Sequence, residues 1–293
     1  MHLEFTTDPA RFLEVAGSHL ARQPVVSTVV ATVAERAVTD VTMGIAPDPR
    51  DWYVVAFDGD EVCAAGMRTA PFGARPLFVL PMPQEAALLL ARTLHGRDEL
   101  TGAANGALPA VRVLADETAR LTGGCVEVAQ HTRLFELEDL VEPPPVPGRL
   151  RLAGPGDLEV SLAWFDAFRR DADEQAGREL GTGAHEAPDE GDVLRRIERR
   201  LVWLWEDGVG EVVNLTGASA PAFGVARVGP VYTPKEQRGR GYASAAVAAV
   251  SRRILASGSR ACLFTDQANP TSNKIYEALG YRRVVDMANL LIA

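Results

Sequence analysis

Two glycines and three cations crowd the segment VYTPKEQRGRGYASAAV, Val231 to Val247, of an otherwise acidic chain with formal net charge -9. Lys235, Arg238 and Arg240 surround Gly239 and Gly241, between an apolar stretch and an alanine-rich one. A strand ending at Thr233 and a helix starting near Tyr242 would aim several unpaired backbone N–H groups at one point. The helix dipole adds roughly half a positive charge there. Glycines let the main chain approach a ligand without a Cβ in the way, and arginine forks suit phosphate oxygens. The chemistry this turn fits is capture of a pyrophosphate.

Two other readings of the turn stand beside that one. It can be a solvated loop whose glycines only make the turn, since short glycine patterns recur by chance. It can also belong to a dinucleotide fold, with Gly239-Arg240-Gly241-Tyr242-Ala243-Ser244 standing for GxGxxG and Asp266 for the ribose-binding acid. Against this, Ser244 fills the third glycine position and Asp266 comes late. Pro230 is also awkward in the central first strand of a parallel sheet.

A second constellation follows at Asn269-Pro270-Thr271-Ser272-Asn273-Lys274-Ile275-Tyr276. Asn269 caps a helix and Pro270 suits its first turn. A phenol such as Tyr276, with an ordinary pKa near 10, is protonated at neutral pH and can donate a proton. Ile275 and Leu279 mark the same helix's apolar face, so Tyr276 also reads as a packed aromatic. For a base, the candidates are Glu206, at the end of the Trp203-Leu204-Trp205 run, and Asp173, Glu174 and His185 in an acidic segment. That segment carries Asp171, Asp173, Glu174, Glu186, Asp189 and Glu190, a composition that favours a cationic ligand.

The elements that must position these groups are legible from periodicity and punctuation. Glu142-Pro143-Pro144-Pro145-Val146-Pro147-Gly148 reads as a stiff extended linker. After it, Leu150–Leu152 is a strand and Asp157 opens a helix. A second helix covers Val193–Arg200, and strands follow over Leu201–Glu206, Glu211–Gly217 and Phe223–Thr233. Tyr242–Leu255 is helical, Arg260–Thr265 a strand, Asn269–Gly280 a helix, and a strand pair runs from Tyr281 to Ala293. The first half shows a similar succession: a hairpin around Asp58-Gly59-Asp60, a strand at Leu77–Leu80, helices at Gln84–Leu94 and Pro109–Leu121, and a strand at Val126–Leu137. Where the second half has its glycine turn, the first has Pro81-Met82-Pro83-Gln84, which cradles no phosphate.

Composition bounds the rest. Hydrophobic residues make up 47% and charged residues 24% of 293 positions, the balance of a globular chain long enough for two domains. Three dispersed cysteines point to a reducing compartment. The acidic balance argues against nucleic acid, and no run is long and apolar enough for a membrane span, so a cytoplasmic chain is expected. The five histidines are scattered, HExxH and GxSxG are absent, and no metal is expected.

Arg238-x-x-Gly241-x-Ala243 resembles the acyl-CoA loop, Arg/Gln-x-x-Gly-x-Gly/Ala, of the GCN5-related N-acetyltransferases. Asn269 to Tyr281 resembles that family's second motif, and the likeness covers Phe223 to Leu291 closely. It implies an α/β fold, with a mixed, mostly antiparallel sheet that holds a splayed strand pair and is flanked by helices. It also implies two such domains in tandem. Residues 1–141 would be a degenerate copy, 142–149 the linker and 150–293 the acetyltransferase domain. By the same likeness the backbone of Val231, Tyr232 and Thr233 pairs with pantetheine. Arg238, Gly239, Arg240, Gly241, Tyr242 and Ala243 surround the pyrophosphate. Asn269, Ser272, Asn273 and Lys274 flank the cofactor arm, and Tyr276 protonates the leaving thiolate; the likeness names no base, for which Glu206 is taken from the candidates above. Acetyl-CoA is then the co-substrate, a cationic small-molecule primary amine the acceptor, and a monomer with its two domains as a pseudo-dimer the assembly. A non-catalytic CoA sensor and a nicotinamide oxidoreductase are the alternatives.

Overall fold

Short apolar runs separated by glycine, proline and aspartate give the described residues ten helices and strands in each half. A computed structural model describes residues 1–70, 75–175 and 188–293. Two compact units result: one of residues 1–133 and 285–293, the other of residues 134–284.

The first unit runs β1 (His2–Thr6), α1 (Pro9–Arg22), α2 (Thr28–Thr42), β2 (Trp52–Asp58), β3 (Glu61–Arg68), β4 (Leu77–Val79), α3 (Gln84–Gly96), β5 (Ala103–Ala107), α4 (Ala110–Thr122) and β6 (Val126–Leu137). Strands β1 to β4 pair antiparallel in sequence order, and β4 pairs parallel with β5. Leu77, Val79, Leu90, Leu94 and Leu114 centre its core. The strand β5, Ala-Ala-Asn-Gly-Ala, lacks β-branched residues and has no strand signature. Pairing with β4 on one side and with residues 287–291 on the other makes it a strand.

The second unit repeats the order: β7 (Arg149–Leu152), α5 (Leu158–Gln175), α6 (Glu190–Glu198), β8 (Val202–Glu206), β9 (Val212–Ala218), β10 (Val225–Tyr232), α7 (Tyr242–Ala256), β11 (Arg260–Asp266), α8 (Pro270–Ala278) and β12 (Tyr281–Ile292). Strands β7 to β10 are antiparallel neighbours, and β10 pairs parallel with β11. The pairing pattern matches the first unit's, an arrangement compatible with two tandem domains of one fold. The mixed sheet also removes the nicotinamide reading, because a dinucleotide fold needs a doubly wound parallel sheet.

Three features differ from the pattern read in the sequence. The compact units divide at residue 133, ahead of the proline-rich stretch. The last nine residues, expected in the second domain, pack in the first, where Met287 to Leu291 pair with β5. Residues 281–292 form one continuous strand in place of a strand pair.

The proline-rich stretch is no free spacer. Val141 N donates to Leu279 O at 3.0 Å, Trp205 Nε1 donates to Pro147 O at 3.2 Å, and Val146 packs against the Trp205–Tyr242 cluster. Fixed φ angles at the prolines lower the entropy cost of holding this stretch on the second unit.

Candidate active site

The site begins where β10 leaves its neighbour. Parallel pairing of β10 with β11 joins Val225–Arg227 to Arg260–Cys262 and then stops, although β10 continues to Tyr232 and β11 to Asp266. Toward β9, Val228 pairs with Ala218 and Val231 with Thr216, so Gly229 and Pro230 together oppose Gly217. This is a bulge at a residue that has no N–H to give a ladder. Gly217 makes room for it: a Cβ there would lie 2.9 Å from Gly229 O and 3.1 Å from Pro230 Cδ.

Buried side chains of β9 fix the departing end of β10. Asn214 is wholly buried; its Nδ2 donates to Tyr232 O at 2.9 Å and to Thr233 Oγ1 at 3.0 Å. Thr216 Oγ1 donates to Asn214 Oδ1 at 2.8 Å. Replacing Asn214 with leucine is expected to cost about 1–3 kcal/mol, because Tyr232 O loses its donor inside the protein. Chemical denaturation measures this loss, and ligand affinity at the loop should fall with it.

Beyond Thr233 the chain makes one 3₁₀ turn and two left-handed glycines, Gly239 at φ +76° and Gly241 at φ +84°. Gly241 is the N-cap of α7, and no side chain caps its amides. The alanine-rich start of α7 favours helix from its first turn, so those amides are fixed in direction and available to an anion.

The loop, α8 and α5 enclose a cleft of about 720 Å³. Val231, Tyr232 and Thr233 line it from β10, and the run Arg238 to Ala243 lines it from the loop. Asn269, Ser272 and Tyr276 line it from α8. Both sequence motifs therefore face one space. Tyr276 is half-buried and packs edge-on to Tyr281, ring centroids 6.0 Å apart. Burial pushes its phenol up to about 12. Among the described residues its hydroxyl makes no hydrogen bond, whereas the buried Tyr281 hydroxyl meets Ser251 Oγ at 2.7 Å. A neutral donor on the cleft wall is the result.

Several candidates do other work. Glu206 lies outside the cleft lining, held by Arg151 at 2.5 Å and Arg149 at 3.0 Å. The hydrogen bonds from Arg151 and Arg149 lower its pKa, so it is a poor base. Glu206→Gln should change turnover less than about twofold, since Glu206 does not line the cleft and its part-buried carboxylate is engaged by Arg149 and Arg151; a steady-state assay checks this.

Asn273 is also structural: its Oδ1 accepts from Thr265 Oγ1 at 2.6 Å, which ties α8 to β11. Lys274 is exposed and does not line the cleft. Asn269 is the N-cap of α8, its Oδ1 accepting from Ser272 N at 3.1 Å. Tyr242 buries its ring among Trp205, Val213 and Ala246, so its amide alone is left for a ligand.

The acids and cations differ most from the reading of the sequence. Arg238 is ion-paired with Asp171 and donates from Nε to Thr233 O at 2.9 Å. Lys235 pairs with Glu174 at 2.5 Å and with Asp171 at 3.7 Å. Among the described residues Arg240 alone of the loop cations has no such partner. Asp173 is buried, and Asp189 caps α6 by accepting from Asp192 N at 2.7 Å. His185 and Glu186 lie outside the described residues. Sequence reasoning missed Phe168 and Gln237, both in the lining; the helix opened by Asp157 was legible, but not its cleft-facing side. It also missed the Asn214–Thr216 network, which no pattern announces.

Residues 219–289 match the family model described as FR47-like protein. No curated protein matches the sequence. Solved structures resemble the chain over nearly its whole length. An acetyltransferase of the GNAT family from Colwellia psychrerythraea has 10% identity, covering 100% of this chain and 99% of its own, with a TM-score of 0.57. A GCN5-related N-acetyltransferase from Sphaerobacter thermophilus has 18% identity, with coverages of 98% and 94% and a TM-score of 0.57. A Drosophila protein reaches a TM-score of 0.65 at 12% identity, covering 99% and 98%. These likenesses show the fold of solved GCN5-related N-acetyltransferases, and residues 219–289, less than half of the chain, carry the family-model match.

Among the described residues no His, Cys, Asp or Glu group is placed to hold a metal ion, and no helix is long and apolar enough to cross a membrane.

Proposed function

We propose that the second unit transfers an acetyl group from acetyl-CoA to a primary amine by direct attack in a ternary complex. The parting of β10 from β11, beside the uncapped start of α7, supports this best. A thioester donor needs an anion cradle for its diphosphate and an open strand edge for its amide-bearing arm, and the cleft offers both. The diphosphate would rest on the amides of Gly239 to Ala243, with Arg240 as the unpaired cation. The arm would lie along Val231 to Thr233, and an N–H near Val231 would polarise the thioester carbonyl. Attack by the neutral amine forms the C–N bond and breaks the C–S bond. Tyr276 gives the departing thiolate its proton.

With Glu206 engaged elsewhere and Asp171 and Glu174 in ion pairs, water carries the amine's proton out through the open cleft. The first unit, in this reading, is a copy of the fold that has lost its glycine loop. Its helix α3 has Pro83 as N-cap, and Leu80-Pro81-Met82-Pro83 before it holds no glycine.

The test is a thermal shift with coenzyme A and with NADH, followed by release of free thiol from acetyl-CoA over a panel of amines. Stabilisation by coenzyme A alone, with amine-dependent thiol release, is expected. Stabilisation by neither ligand contradicts the reading. Binding of coenzyme A without turnover on any amine favours a sensor module.

A further inference from the structure

In this structure the loop that should take a diphosphate already holds an anion of its own. Asp171 comes from α5, which also lines the cleft with Phe168 and Ala172. Its carboxylate is only 14% exposed and contacts Arg238 and Lys235 together. Burial and this carboxylate together raise the pKa of Tyr232. Trp164, two turns earlier on α5, stacks at a tilt on the same Tyr232 ring, centroids 5.8 Å apart. Glu174, one turn later, takes Lys235. The helix is thereby fastened to β10 and to the loop by one aromatic contact and three ion pairs. All three ion pairs use cations of the loop.

Taking acetyl-CoA as the donor, as above, we infer that Asp171 is a latch: it occupies Arg238 until the donor's diphosphate displaces it. With Nε already given to Thr233 O and Nη2 to Asp171, a diphosphate that takes the same edge of Arg238 competes directly with the carboxylate. A diphosphate on the loop amides brings more negative charge to Arg238 than one carboxylate does. Exchange then leaves Asp171 facing the cleft without its strongest partner, and α5 loses a tie to the loop. Donor binding thus supplies the acceptor side with a free carboxylate, the charge a cationic amine requires. Asp171 acts here through Arg238 and is a positioning residue, not a catalytic one.

Titration calorimetry with coenzyme A and with pantetheine, which lacks the diphosphate, tests the latch. Asp171→Asn should bind coenzyme A about 5-fold tighter than the native chain, the scale of one ion pair of this exposure. Pantetheine should bind both alike. With Arg238→Gln in the background, Asp171→Asn should give no gain, because the two residues form one thermodynamic unit. Asp171→Ser carries the same expectations should the asparagine variant melt early.

Coenzyme A binding that is equal or weaker in Asp171→Asn overturns the latch, as does the same gain for pantetheine or in the Arg238→Gln background. If the native chain and every variant fail to bind coenzyme A while remaining folded, the donor assignment itself is wrong, and the latch falls with it. The two failures are therefore distinguishable.

Discussion

Tyr276→Phe should lower acetyl transfer by about 10²-fold or more, the scale of a positioned general acid, with coenzyme A affinity unchanged within about twofold. The substitution removes one hydroxyl that has no hydrogen-bond partner among the described residues, and it leaves the ring against Tyr281. Packing should therefore survive, and the melting temperature should hold. The pH profile adds a second readout. Burial raises the pKa of this phenol to about 12, so the acid form persists above the ordinary value near 10. An alkaline fall in rate between pH 8 and 10 would then belong to another group and should remain in the variant. Stability follows the same sign. The stabilisation from keeping the phenol neutral is present below pH 10, the unfolded-state value, and is lost as pH rises toward about 12. A variant with native turnover removes the acid from the mechanism.

Gly241→Val should abolish measurable coenzyme A binding while the chain still folds. Valine is disfavoured at φ +84° by its branched side chain, and its Cβ would lie 2.9 Å from Val146 Cγ1. Relief requires the loop to rotate, which turns the amides at the start of α7 away from one another. The backbone is the binding group in this account, so the loss should exceed that of Arg240→Ala, estimated at about 1 kcal/mol for an exposed cation. Val146→Ala in the same chain separates the causes. It removes the contact and leaves the strained φ, so it should recover only part of the affinity. Calorimetry on the three proteins, with melting curves beside them, decides between these effects.

How far the sequence foretold this site depends on the kind of signal. Backbone chemistry was legible: glycines, a proline that cannot donate and an alanine-rich helix start dictate local geometry wherever they occur. Gly241 stands at the start of α7 and Pro230 in the bulge of β10. The order of elements in the second half was legible for the same reason.

Side-chain pairing was not. Glu206 looked like a free carboxylate at a strand end, yet β7 brings Arg149 and Arg151 beside it across an antiparallel pair. Arg238 looked like a phosphate ligand and is held by an acid 67 residues away. Asn273 sat within a motif but serves β11. Such partners are set by tertiary contact, which has no local pattern. The chain's last residues are a related case: prolines stiffen a segment wherever it lies, and it is the pairing of Met287 to Leu291 with β5 that joins residues 285–293 to the first unit.

The most direct measurement is a crystal structure of the chain with coenzyme A. The account predicts diphosphate density within hydrogen-bonding distance of the Gly239 to Ala243 amides, and the pantetheine arm along Val231 to Thr233 in the gap between β10 and β11. Density for the nucleotide at any other surface, with this cleft empty at saturating ligand, would contradict it.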